Sequence, residues 1–106
     1  MNDSEFIQLA DQLYQTIEEY VERSGADVDY DQNGSLLTLE FENRTKLIIN
    51  RQQPLHQIWL ATLENGHHYD YKNGKWIDDR SGDEFLTFLS AAIFKQSQET
   101  VDFNSL

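Results

Sequence analysis

The sequence contains no cysteine and has a single proline, Pro54, among its 106 residues. Without thiols the chain cannot form disulfides, and it cannot hold zinc or an iron–sulfur cluster through thiolates. No apolar run approaches the roughly 18 residues that a transmembrane helix needs. Because the N-terminus is acidic and amphipathic, neither a signal peptide nor a transit peptide is expected, and we expect a cytoplasmic protein.

Basic residues are also scarce, with eight Lys and Arg against 19 Asp and Glu and a net charge of −11. The first 31 residues hold nine acidic residues and one arginine, which leaves a net charge of −8 there. This asymmetry argues against nucleic acid and anionic membranes as partners. The asymmetry favours metal cations or a basic protein surface as the partner. An acidic surface that serves only solubility is the alternative.

The first part of the chain has the pattern of an amphipathic helix over residues 4–23, with Asp3 or Ser4 as its cap and Gly25 at its end. Apolar residues recur at spacings of three and four. They are Phe6, Leu9, Ala10, Leu13, Ile17, Tyr20 and Val21. At about 100° per residue, a stripe of carboxylates falls on roughly the opposite side. This stripe comprises Asp11, Glu18 and Glu22, with Glu19 beside it.

A short strand with alternating residue types follows over residues 27–31. Alternation directs Asp27, Asp29 and Asp31 to one face and Val28 and Tyr30 to the other. The short turn at residues 24–26 is expected to bring this carboxylate row beside the row on the helix. Because close carboxylates repel one another, such a surface sacrifices stability, which suggests that a cation or a basic partner binds there.

The rest of the chain predicts further strands and a final helix. Strands are expected at residues 35–42, 45–50, 56–62, 67–72 and 75–78, with tight turns at Asn33-Gly34 and Asn73-Gly74. A last helix, capped by Ser81 or Asp83, is expected to end near Gln98 before a weakly patterned tail. The sequence therefore predicts one α+β domain over residues 1–106: a two-layer sandwich with both helices on one face of an antiparallel sheet of five to six strands.

Trp59 lies in the predicted strand at residues 56–62, on the face opposite Ile58 and Leu60. On this open face it would neighbour Asn50 and Gln57, a composition typical of the centre of a protein contact. Packing of Trp59 beneath a loop is the alternative. The adjacent His67 and His68 point to opposite faces of a strand, so they cannot chelate one ion together.

The segment at residues 50–61, Asn-Arg-Gln-Gln-Pro-Leu-His-Gln-Ile-Trp-Leu-Ala, resembles the signature of the frataxin family. Further matches lie at residues 1–6, 9–11, 17–19, 69–70 and 79–82 and at Trp76. The resemblance extends along nearly the whole chain and points to bacterial members. It implies two helices on an antiparallel sheet, in agreement with the prediction from periodicity.

The resemblance also implies a function. Frataxins bind iron weakly and bind the cysteine desulfurase and the scaffold protein that build iron–sulfur clusters, and they modulate the rate of assembly. The chain is accordingly expected to bind Fe²⁺ or Fe³⁺ weakly, to hold no cluster itself and to be no enzyme. It is expected to be a monomer, with iron-dependent oligomers left open.

Two sets of site residues follow from the resemblance. The first, called the acidic ridge below, would bind metal and comprises Asp3, Asp11, Glu18, Glu19, Glu22, Asp27, Asp29 and Asp31. Glu18, Glu19 and Glu22 would also contact the partner, together with a second set called the sheet-face group, which comprises Asn50, Gln57 and Trp59. Bacterial members can carry a metal-binding histidine where this chain has Ile7, so the resemblance does not support a metal site that needs an imidazole from this position beside Asp3.

Carboxylates without thiols suit hard, labile cations such as iron, manganese, magnesium and calcium. Residues 27–38 do not form an EF-hand, because the sixth position is Gln32 and the twelfth is Thr38. An iron store or ferroxidase-like protein is one alternative, although the sequence lacks the Glu-x-x-His pattern of such sites. An acidic module that binds basic proteins, with incidental metal binding, is the other.

Overall fold

A computed structural model describes residues 1–104. The chain forms a six-stranded antiparallel sheet, with one helix before the strands in sequence and one after them. The helices are α1 (Asp3–Ser24) and α2 (Phe85–Ser97). The strands are β1 (Val28–Asn33), β2 (Leu36–Phe41), β3 (Lys46–Gln52), β4 (Gln57–Ala61), β5 (Gly66–Lys72) and β6 (Lys75–Asp78). Within residues 1–104, no helix is long and apolar enough to cross a membrane.

The strands follow one another in the sheet in the order β1-β2-β3-β4-β5-β6, so each strand pairs only with its neighbours in sequence. A 3-10 helix at Gln53–Leu55, which contains the single proline, separates β3 from β4. This arrangement confirms the predicted fold class, with six strands in the sheet. It places β1 and β6 at the two edges.

The core lies between the helices and one face of the sheet. Alternate strand residues turn their side chains toward it, as the sequence predicted. These buried strand residues include Leu37, Leu39, Phe41, Leu47, Ile49, Ile58 and Leu60. In α2, the predicted inward residues Phe85, Leu89, Ala92 and Ile93 are all buried.

Both helices begin with a capping residue that the sequence analysis did not name. The Asn2 side chain accepts a hydrogen bond from the Glu5 N–H at 2.8 Å, and Glu5 accepts one from the Asn2 N–H at 3.1 Å. This reciprocal capping box satisfies two N–H groups of the first turn, so Asp3 and Ser4 were wrong predictions. Glu84, not Ser81 or Asp83, caps α2 by accepting from two backbone N–H groups.

Three core residues were absent from the predicted pattern. Tyr14 is buried in α1, and its hydroxyl donates to the backbone carbonyls of Ser35 at 2.7 Å and Ile49 at 3.2 Å. In the weakly patterned tail, Val101 and Phe103 are buried, and the Phe103 ring stacks on Tyr20 at 5.8 Å. The tail is therefore part of the core.

The β1–β2 connection is a two-residue turn that lies one position later than predicted. Asn33 pairs with Leu36, so Gly34 and Ser35 form the turn, and Gly34 has a φ of 62°. A positive φ at this position favours glycine, which explains why the turn centres there. This turn sets the pairing register between β1 and β2.

Candidate functional site

The carboxylates on one flank of α1 contact two different strands of the sheet. Asp11 Oδ1 lies 2.6 Å from the Arg51 guanidinium of β3. In the last turn of the helix, Glu22 Oε1 accepts a hydrogen bond from the Tyr30 hydroxyl of β1 at 2.9 Å. Burial adds to the effect of this hydrogen bond, and both raise the pKa of Tyr30. The carboxylate stripe of α1 thus crosses the sheet from β3, at Asp11, to β1, at Glu22 near the end of the helix.

Asp3 lies at the start of α1 against the 3-10 helix. Its carboxylate lies 2.7 Å from His56 Nε2 and accepts a hydrogen bond from the Gln53 side chain at 3.2 Å. These two hydrogen bonds, the one with His56 first, lower the pKa of Asp3. An imidazole therefore lies beside Asp3 although Ile7 occupies the position where bacterial members can carry a histidine. The ring comes from His56, 53 positions away in the chain, and stacks on Phe6 at 5.2 Å.

The carboxylates of β1 lie on the other face of the sheet from α1. Tyr30 contacts α1 and pairs with the buried Leu39, so its side chain is on the core face. Strand alternation then places Asp29 and Asp31 on the opposite, open face. The two rows do not lie side by side, as the sequence analysis expected. Instead they flank the sheet edge from its two sides, with Tyr30 between them.

Asp27 is separate from the rest of the acidic ridge. It precedes β1, and its backbone N–H donates to Glu99 Oε1 at 3.0 Å. It lines a shallow acidic depression with Glu42 and Glu99, beyond the end of α2. Residues 1–104 contain no group of three or more acidic or histidine side chains arranged to hold a metal ion. Any ion at the acidic ridge would therefore keep much of its water.

Several carboxylates of the acidic ridge are held by neighbours, and others are not. Glu19 forms an ion pair with Arg23, and Asp11 forms one with Arg51. Among the described residues, Glu18, Asp29 and Asp31 have no hydrogen-bond or ion-pair partner. Their mutual repulsion is uncompensated, which makes them the carboxylates most available to an external cation.

We expect the double variant Glu18→Gln with Asp29→Asn to be more stable than the native chain at low salt. Removing two uncompensated charges from a surface of net charge −8 should raise stability by about 0.5 kcal/mol and Tm by roughly 2–4 °C. The gain should shrink at high salt because screening weakens the repulsion. Calorimetry at two salt concentrations measures it.

Asp11→Asn is the control for this experiment, because it also removes one negative charge but leaves Arg51 without its partner. It should stabilise less than the double variant or not at all. If Glu18→Gln with Asp29→Asn instead lowers Tm equally at all salt concentrations, the two side chains support the fold and are not an uncompensated surface.

The three residues of the sheet-face group lie on the open face of the sheet, as their alternation predicted. Asn50 pairs with Trp59 across β3 and β4, and Trp59 pairs with His68 of β5. The Trp59 and His68 rings stack with centroids 4.3 Å apart. The indole N–H donates to Gln57 at 2.9 Å, and Gln57 donates to Asp70 at 3.1 Å. Trp59 is half-buried and held in one orientation, so the alternative that it packs beneath a loop was wrong.

The two histidines of β5 lie on opposite faces, as predicted. His67 packs against Phe88 of α2 and lies 3.3 Å from the carboxylate of Asp78, whereas His68 covers one face of Trp59. The stacking of His68 on Trp59 was not anticipated, although two residues at the same level of neighbouring strands are natural contacts.

Comparison with known proteins gives consistent results. A family model for a frataxin-like domain matches residues 1–99. The iron-sulfur cluster assembly protein CyaY of Psychromonas ingrahamii is 92% identical over 103 residues, which cover 97% of this chain and 98% of that protein. A solved structure of a frataxin from the same organism superposes with a TM-score of 0.95 at 90% identity, over 99% of this chain and 100% of that chain.

A more distant solved structure is the trimeric frataxin of the yeast Saccharomyces cerevisiae complexed with ferrous iron. It superposes with a TM-score of 0.69 at 29% identity, and the match covers 90% of this chain and 87% of that chain. The likeness therefore extends from near-identical bacterial proteins to a eukaryotic one.

Proposed function

The chain belongs to the frataxin family, and from this premise we propose that it is a cytoplasmic, weakly iron-binding protein that regulates iron–sulfur cluster assembly. It acts by binding the cysteine desulfurase and the scaffold protein, and it catalyses no reaction itself. The observation that supports this most is the acidic ridge, because its carboxylates offer a surface both to a cation and to a basic partner.

Iron binding at the acidic ridge is supported by the chemistry of its donors. Carboxylate oxygens suit hard cations, and Glu18, Asp29 and Asp31 have no partner within the described residues that a cation would have to displace. The yeast frataxin complexed with ferrous iron supports the same choice of metal. Because the carboxylates flank the sheet edge and do not enclose an ion, affinity should be modest and the iron should exchange readily. The iron is cargo that the chain holds only transiently.

Amide chemical-shift mapping with Fe²⁺, or with a diamagnetic divalent surrogate, tests the metal site. We expect perturbed amides around Asp11, Glu18, Glu22, Asp29 and Asp31. Binding should weaken as the pH falls toward about 4, because protonated carboxylates no longer attract the ion. Shifts centred on His67 or His68 would show that the acidic ridge is not the metal site. Asp79→Asn, on the far edge of the sheet, is a control that should leave binding unchanged.

Partner binding would use two surfaces, of which the second shares the open face of the sheet with Asp29 and Asp31 of the acidic ridge. The acidic ridge would attract a basic patch on the desulfurase, and the sheet-face group would contact the scaffold protein. Trp59 is suited to the second role because His68 and Gln57 already fix its ring, so little side-chain entropy is lost on binding. Since iron and the desulfurase would share the acidic ridge, bound Fe²⁺ should alter the affinity for the desulfurase.

A further inference from the structure

The edge strand β1 offers backbone hydrogen bonds to a partner in addition to the electrostatic attraction of its carboxylates. We propose that an extended segment of a partner protein, with alternating basic and apolar residues, pairs with β1 as a seventh strand of the sheet. This inference deepens the proposed function and rests on it, since it specifies how a basic partner engages the acidic ridge. Strand addition of this kind supplies affinity through the main chain and specificity through alternate side chains.

The pairing of β1 with β2 determines which backbone groups are available. The two-residue turn closes on the pair Asn33 and Leu36, and in such hairpins this closing pair exchanges both hydrogen bonds. Residues 29, 31 and 33 therefore bond to β2, whereas residues 28, 30 and 32 direct their N–H and C=O groups away from the sheet. The Val28 N–H agrees with this assignment, because it bonds to the Ala26 carbonyl at 2.9 Å and not to β2.

Within residues 1–104, no backbone hydrogen bond engages the outward N–H and C=O groups of Tyr30 and Gln32. β1 contains six residues and no proline, and its residues 31–33 are exposed. The opposite edge differs, because β6 has only four residues and Ile77 pairs there with Glu84. The unpaired N–H and C=O groups of such an edge are a template for pairing with another chain.

The side chains beside this edge determine which strand fits. On the open face, Asp29 and Asp31 would meet every second residue of an added strand, so those residues should be basic. On the core face, the half-buried Tyr30 ring would meet the intervening residues, so those should be apolar. A second copy of this chain fits poorly, because pairing two β1 edges would bring four carboxylates together.

Fluorescence anisotropy with a labelled peptide, Lys-Val-Lys-Val-Lys-Val-Lys, tests the inference on the native chain. The matched control is the same peptide with every backbone amide N-methylated, which keeps the charges but removes the N–H donors. We expect the N-methylated peptide to bind at least tenfold more weakly. On binding the unmodified peptide, the Tyr30 and Gln32 amides should exchange more slowly with solvent.

Variants of Gln32 test the same edge from the protein side. Gln32→Pro removes one outward N–H and leaves the bonds between β1 and β2 in place, whereas Gln32→Ala removes only the side chain. Gln32→Pro should weaken peptide binding at least tenfold, and Gln32→Ala should not. If Gln32→Pro does not fold, the N-methylated peptide still decides the question with the native chain.

Equal affinity for the two peptides would overturn the inference, because charge alone would then explain binding. A native chain that forms dimers in sedimentation, and loses them on Gln32→Pro, would also overturn it, since the occupant would be a second copy. Desulfurase binding separates the inference from the proposed function. Full affinity of Gln32→Pro for the desulfurase would refute the inference alone, whereas a native chain that never binds the desulfurase would refute the proposed function.

Discussion

Replacing Glu18, Glu19 and Glu22 with lysine is expected to weaken binding to the cysteine desulfurase at least 100-fold at about 50 mM salt, which is about 2.7 kcal/mol. The triple change turns the helical part of the acidic ridge from negative to positive, so a basic patch would be repelled. Native binding should itself weaken steeply between about 50 and 300 mM salt, because screening suppresses electrostatic steering.

The triple variant should still fold. Glu19 loses its ion pair with Arg23, and Glu22 loses the hydrogen bond from Tyr30, but both of these contacts lie at the surface, where each contributes little. Reversal of Glu64, Asp79 and Asp83 to lysine is the matched control, since it changes the net charge equally at positions away from the acidic ridge. Surface plasmon resonance across a salt series, with and without Fe²⁺, compares the variants.

Trp59→Ala should act differently from the charge reversal. It should mainly shorten the lifetime of the complex with the scaffold protein, because an apolar anchor contributes after encounter. Desulfurase binding that ignores salt, or that survives the reversal of Glu18, Glu19 and Glu22, would refute the role of the acidic ridge.

Asp78→Ala is expected to have the largest effect on stability. Asp78 is 6% exposed, and its carboxylate accepts from the backbone N–H groups of Arg80 at 2.8 Å and Ser81 at 3.1 Å. Its backbone also bonds to Asp83 and Gly82, so it organises the loop that leads into the cap of α2. Loss of the carboxylate leaves two N–H groups without their acceptor. We expect a cost of about 3 kcal/mol and a fall in Tm of more than about 10 °C.

The contribution of Asp78 should depend on pH. Burial raises the pKa of its carboxyl, but the hydrogen bonds from Arg80 and Ser81 and the contact with His67 outweigh burial, so the pKa is lowered. A lowered pKa means that this stabilisation is fully present above the unfolded value of about 3.9 and is lost as the pH falls below it. Urea unfolding between pH 3 and 7 measures the dependence.

Two controls accompany Asp78→Ala. Asp78→Asn keeps an acceptor for the backbone N–H groups, so it should cost less than Asp78→Ala and should flatten the dependence on pH. Asp79→Ala, at the exposed neighbouring position, should change stability little. A native stability that does not fall more steeply below pH 4 than that of Asp78→Asn would contradict the assigned role of Asp78.

The helices and strands of this chain were predictable because each has one face toward the core and one face toward solvent, which gives a regular pattern of apolar and polar residues. Strands β2, β3 and β4 were anticipated because Leu37, Leu39 and their counterparts alternate between core and solvent, whereas β5 and β6 were anticipated from the Asn73-Gly74 turn between them. The residues that cap the helices were harder to predict, because each depends on a single local contact. The spacing of Asn2 and Glu5 is a recognisable signal for a capping box, whereas Glu84 as a cap has no comparable signal.

Contacts between distant segments escaped prediction for another reason. The proximity of His56 to Asp3 depends on how the 3-10 helix turns after β3, and no spacing in the sequence encodes that path. Likewise, Phe103 belongs to a short tail in which two apolar residues form no periodic pattern. For the acidic ridge, the residue types were evident from the sequence, but the division of its carboxylates between two faces depended on the Tyr30 contact with α1.

The consecutive order of the strands has a consequence for how the chain folds. Because every strand pairs with the next one along the chain, most of the sheet can form by closing short loops, which costs little chain entropy. The long closures are those that bring α1 onto the sheet and Phe103 onto Tyr20. The entropic barrier to folding is therefore concentrated at the two ends of the described chain, and the central hairpins carry little of it.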